Sequence, residues 1–161
     1  MENYNTKTCL ITFDVEEWFQ VENLRAAVSR ADWSKYSSSV LKNTEQILTL
    51  LQKQQLSATF FILGWVAERQ PETVRIIARQ GHEIACHGYN HDLTMQLADA
   101  ELKTDIINSK TILEKLSGQK LAGYRAPNFS VNDRLLYILK ETGFKYDSSL
   151  NLFKLNPRHG T

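Results

Sequence analysis

At 161 residues, 42% hydrophobic and 23% charged, the chain is long enough for one globular domain with a sizeable core and too apolar for intrinsic disorder. Nineteen Lys and Arg against eighteen Asp and Glu leave a net charge of +1, which excludes a broad field for collecting nucleic acid or anionic lipid. Cys9 and Cys86 read as two buried thiols and exclude a disulfide framework, while the absence of a leader-like amino terminus and of any long apolar run predicts no transmembrane segment and a cytoplasmic location.

In chain order, the run Cys9-Leu10-Ile11-Thr12-Phe13 predicts a first strand over residues 10–13, ending in Asp14-Val15-Glu16. Residues 18–39, rich in aromatics and serine, read as an irregular or partly helical insertion. Val40, Thr44, Ile47, Leu48 and Leu51 fall at helical spacing behind Ser39 as N-cap and predict a helix over 40–54. Ala58 to Leu63 is a second strand, broken by Gly64. Pro71 opens a helix carrying Val74, Ile77 and Ala78, which Gly81 ends. His82 to Cys86 is a third strand, followed by a long helix striped by Leu97, Leu102, Ile106, Leu113 and Leu116 that stops at Gly118. Leu121 to Tyr124 and Phe144 to Tyr146 are two further strands, separated by a helix over 132–142. This alternation predicts an α/β fold with parallel strands covered by helices.

The polar residues with chemical potential follow the strands, where α/β folds collect their active groups. Alternation along Asp14-Val15-Glu16 turns both carboxylates to one side, so one can ligate a cation while the other accepts a proton from water. The same alternation sends Glu17 outward to solvent. His87 and His91, four residues apart in His87-Gly88-Tyr89-Asn90-His91, complete an open set of two imidazoles and a carboxylate, with Asp92 as a candidate to orient a ligating ring. His82 reads as a polar residue at a strand start. Arg125 either holds a catalytic carboxylate, grips a polar substrate or lies on the surface. Asp147 either orients a catalytic group or accepts backbone hydrogens in a turn. Trp18, Trp33, Trp65 and Tyr89 offer stacking faces for a sugar but serve equally well as core.

Taken in order, Thr12-Phe13-Asp14-Val15-Glu16, His87-Gly88-Tyr89-Asn90-His91, Arg125-Ala126-Pro127-Asn128-Phe129 and Tyr146-Asp147-Ser148-Ser149 resemble the four successive motifs of the polysaccharide deacetylase family, carbohydrate esterase family 4 or the NodB homology domain. The Asp-Val-Glu form and the Gly-Tyr-Arg-Ala-Pro segment are most similar to its exopolysaccharide-associated and peptidoglycan deacetylase-like branch. The resemblance implies a distorted seven-stranded (β/α) barrel and metal-dependent release of acetate from an N-acetylated oligo- or polysaccharide. It implies Asp14 as general base, steadied by Arg125, and Asp147 as a further catalytic residue. Glu16, His87 and His91 become ligands of a divalent ion, zinc first, with Co, Ni or Mn as substitutes. An oxyanion role for the Asn128 backbone N–H belongs to the same set.

Three departures qualify the match. Asp14-Val15-Glu16 replaces consecutive aspartates, Asn128 stands where an aromatic residue is common, and the late Leu-x-His segment that supplies a general acid has no counterpart, since His159 follows Asp147 too closely. Only about five strand candidates fit, so residues 1–161 read as the amino-terminal two-thirds of one catalytic domain, with exposed sheet edges that favour pairing into a homo-oligomer. A non-catalytic carbohydrate-binding or regulatory module is the alternative that a missing acid favours. A magnesium-dependent phosphatase of the haloacid-dehalogenase type is a weaker one, opposed by the histidine pair.

Overall fold

The computed structural model describes residues 9–150. Five short parallel strands, β1 (Thr12–Val15), β2 (Thr59–Ile62), β3 (Glu83–Cys86), β4 (Gly123–Tyr124) and β5 (Tyr146–Asp147), lie in the order β1-β2-β3-β4-β5. Helices α1 (Val40–Gln54), α2 (Gly64–Arg69), α3 (Pro71–Arg79), α4 (Asp99–Ser117) and α5 (Asp133–Glu141) occupy the connections. Each strand pairs with the next in sequence, which is the winding of a (β/α) barrel and not of a doubly wound sheet with a switch point.

The sheet is also curled. Laid flat, β1 and β4 would stand about 14 Å apart, three strand spacings. Arg125, immediately after β4, nevertheless reaches Asp14 and Thr12 of β1, and Tyr146 of β5 reaches Glu83 of β3. The fold is therefore a partial, distorted (β/α) barrel. Its concave side forms a cleft of about 650 Å³ lined by Thr12, Thr59, Phe61, Glu83 and Tyr146.

The core lies on the convex side. Val15, Phe60, Ile62, Ile84, Cys86 and Tyr124 from the strands pack against Leu48 and Leu51 of α1, Val74 and Ile77 of α3, and Leu102, Ile106 and Leu113 of α4. The register places Phe13 beside Phe60, with ring centroids 5.1 Å apart. Pro71 sits in the first turn of α3, and Gly118 caps α4 in the left-handed conformation. The Asn132 side chain accepts from Leu135 N–H at the start of α5. Among the described residues no helix is long and apolar enough to cross a membrane.

Three expectations change and a fourth is extended. Ser39 does occupy the N-cap of α1, but its side chain makes no capping bond. Glu17 is buried at 1% exposure rather than solvated. The strand ends at Val15, so its alternation no longer governs Glu17, which begins a 3₁₀ turn and accepts hydrogen bonds from the Ser38 hydroxyl and the Ser39 N–H. Cys9 is exposed, because it precedes the paired part of β1; Cys86 is buried, and burial pushes its thiol up to about 12, which makes it inert. Gly64 stands just past the end of β2 as expected, but it does more than break the strand, because it opens helix α2. His159 lies outside the described residues.

Candidate metal centre

Glu16 follows β1, His87 follows β3, and His91 closes the loop after it. One ligand atom from each lies within 4.8 Å of the other two. The His91 Nε2 to Glu16 Oε2 distance is 3.0 Å, and the two imidazole centroids stand 5.3 Å apart. A tetrahedral ion with bonds near 2.0–2.2 Å spaces its ligand atoms by roughly 3.5 Å, so the three groups fit a divalent cation.

The His87 tautomer agrees with ligation. His87 Nδ1 is 2.8 Å from the Arg125 carbonyl oxygen, which can only accept, so Nδ1 carries the proton and the Nε2 lone pair is left for the centre. Burial holds the His87 ring below its ordinary pKa, against the pull of Asp14, and so keeps it neutral as a ligand must be. Burial alone would raise the Glu16 carboxyl, but its hydrogen bond and electrostatic interaction with His91 outweigh that, and its pKa is lowered.

Asp14 is bound by Arg125, whose Nη1 donates to Oδ1 at 2.7 Å. The guanidinium is held on all sides. Nη2 donates to Thr12 Oγ1 at 3.1 Å and Ser148 Oγ at 2.8 Å, Nε donates to the Ser148 carbonyl, and the plane lies 4.0 Å from the Phe61 ring centroid. Arg125 is therefore not a surface arginine, and its guanidinium grips the Asp14 carboxylate. Asp147 ends β5, and its oxygens accept from the Ser149 N–H and hydroxyl, while Ser149 Oγ accepts the Ala126 N–H. Asp92 does not bond the His91 ring, whose Nδ1 has no hydrogen-bond partner among the described residues; Arg25 and Arg30 donate to Asp92 Oδ1 instead. His82 is buried at the start of β3, against the Phe60 ring.

Sequence reasoning missed the residues that hold the loop. Gly64 N–H and Trp65 N–H, at the start of α2, donate to the Gly88 and Tyr89 carbonyls, and Asp105 of α4 accepts the Tyr89 N–H at 3.0 Å. Thr12 and Ser148 were visible within the first and fourth motifs, but Asp105 carried no signal beyond ordinary polarity. The aromatic residues divide: Trp33 is buried, Phe19, Trp33 and Trp65 pack edge to face or tilted, and Trp18 is half exposed.

A model of the polysaccharide deacetylase family matches residues 2–146. The chain belongs to that family. It is 34% identical over 102 residues to a peptidoglycan-N-acetylglucosamine deacetylase of Bacillus cereus, covering 63% of this chain and 47% of that one. The fold superposes on a Mycobacterium smegmatis protein assigned to the polysaccharide deacetylases with a TM-score of 0.76 and 31% identity, covering 93% of this chain and 54% of the other. A peptidoglycan deacetylase of Bacillus subtilis gives a TM-score of 0.65 at 27% identity over 91% of this chain and 59% of its own. The chain thus spans about half the length of these deacetylases.

Proposed function

We propose that this deacetylase-family chain hydrolyses N-acetyl groups on a glycan, releasing acetate and leaving a free amine, with Asp14 as general base and zinc as the preferred ion over Co, Ni or Mn. The observation that carries the reading is the convergence of Glu16, His87 and His91 on one point beside an Asp14 already oriented by an arginine. A divalent ion in that cluster supplies Lewis acidity toward an acetamide carbonyl and acidifies water.

The chain's own residues supply the rest. Arg125 occupies Oδ1 of Asp14, which leaves Oδ2 to accept a proton from the attacking water. The Asn128 backbone N–H, in a turn where Asn128 has φ 50°, is the candidate donor to the developing oxyanion. Asp147 contributes as a positioning residue: through Ser149 it fixes the Ala126 N–H, next to Arg125. The names of the relatives support a peptidoglycan-like N-acetylhexosamine polymer as substrate. The two imidazoles tell against the magnesium-dependent phosphatase, since magnesium prefers oxygen ligands. The proposal places the chemistry in the cytoplasm, which cell fractionation tests.

Acetate release from a panel of N-acetylglucosamine oligosaccharides, with metal content measured in the same preparation, tests the reading. Asp14→Asn should lower turnover by roughly 10²–10⁴-fold with metal occupancy unchanged. Metal bound without acetate release from any member would favour the binding-only module instead.

A further inference from the structure

The stretch of chain between β1 and α1 reaches back to the second histidine. His91 has φ 59°, in the left-handed region that a residue with a Cβ occupies only when its surroundings impose it. The loop before it is anchored at Gly88, Tyr89 and Asn90 by α2 and Asp105. His91 itself is held by a residue 66 positions earlier: Arg25 Nη2 donates to the His91 carbonyl oxygen at 3.0 Å. The same guanidinium donates through Nη1 to Asp92 Oδ1 at 3.0 Å and through Nε to Glu22 Oε2 at 2.7 Å. Arg30 adds a second cation to Asp92.

All three faces of the Arg25 fork are therefore taken, one by the ligand residue's own backbone and one by the residue after it. A planar fork fixed at three points sets the direction of the His91 carbonyl, and with it the backbone twist that points the imidazole Nε2 at Glu16. We propose that Arg25 is a positioning residue for the metal centre, and that the insertion between β1 and α1 serves to deliver it to His91. This rests on the reading of Glu16, His87 and His91 as a metal cluster but not on the acetyl substrate. Partners on the ring of a ligating histidine are worth 10–100-fold in metal affinity, and a brace on its backbone acts through the same ring orientation.

The test is metal binding by the full chain. Zinc dissociation constants are measured by competition with a chromogenic chelator, and the cobalt-substituted protein is followed by its visible absorption. Arg25→Gln should weaken zinc roughly 10–100-fold and alter the cobalt spectrum, with Arg25→Lys intermediate. Asp92→Asn, which removes a brace but leaves the His91 contact, should have a smaller effect, and its effect should largely vanish in the Arg25→Gln background. Unchanged zinc affinity and an unchanged cobalt spectrum in Arg25→Gln would overturn the proposal, as would a fall in metal-free stability with both readouts preserved. Should Arg25→Gln fail to fold, Arg25→Lys decides by the same two readouts. A wild-type chain that binds no metal also overturns it. Weakened zinc in Arg25→Gln from a chain that releases no acetate would uphold it while removing the proposed activity.

Discussion

Asp105 shows how a single side chain serves the site without touching substrate. It accepts backbone N–H groups from Tyr89 and Asn90, yet burial dominates and raises its carboxyl to about 6. The pKa is raised on folding, so between about pH 4 and pH 6 the native state binds more protons than the unfolded state, and stability falls as pH rises through that window. Above pH 6 the cost is constant. Two pKa units correspond to about 3 kcal/mol at most. Urea titrations at pH 4.5 and pH 7 should show wild type losing stability relative to Asp105→Asn as pH rises, and a pH-independent difference between the two would contradict the buried-charge account. Nothing in the sequence flagged Asp105, since an acid on a mainly polar helix turn resembles any solvated one, and only the fold brings Gly88 to within 3.2 Å of it in terms of an added Cβ.

At the scale of elements, the strands, the four longer helices and the placement of each motif after a strand were legible, because periodicity and capping residues mark them locally. Two features were not. Gly64 reads as a breaker from composition, but its place is set by a neighbour distant in sequence: a Cβ there would stand 2.5 Å from the Tyr89 ring, and its N–H is needed by the Gly88 carbonyl. Glu17 was misplaced because a period-2 argument was carried past the end of the strand. Its carboxylate joins the turn at 18–20 to the start of α1 through Ser38 and Ser39, completing the cap that the Ser39 side chain does not make. Glu17→Ala removes the acceptor of the part-buried Ser39 N–H and of the Ser38 hydroxyl and should cost about 1 kcal/mol. Glu17→Gln, which keeps an acceptor oxygen, should cost less. Equal losses for the two in urea denaturation would mean that the side chain only fills space.

For the molecule as a whole, the function-bearing contacts are also the ones that cross the curl. Arg125 ties the end of β4 to β1, and the cluster ties the end of β1, through Glu16, to the end of β3, through His87 and His91. Parallel strands covered by helices followed from the βαβα rhythm, but the consecutive order and the curl did not, because hydrophobic period carries no information on strand order or tilt; only the family resemblance implied a barrel, and the strand pairing and the Arg125 to Asp14 contact show it. A cation bound between strands this far apart in sequence can be held only by the folded sheet, so its binding energy adds to global stability. At a free zinc concentration 100 times the dissociation constant the gain is about 2.7 kcal/mol, which for a domain of this size raises the unfolding temperature by roughly 5–11 °C. Asp14→Asn should retain that shift, since Asp14 is proposed to move a proton and not to hold the ion. His87→Ala should lose most of it, because the remaining Glu16 and His91 belong to only one strand end and one loop. A zinc-dependent shift of equal size in His87→Ala, measured by calorimetry at the same free zinc, would place the ion elsewhere and separate the curl of the sheet from its chemistry.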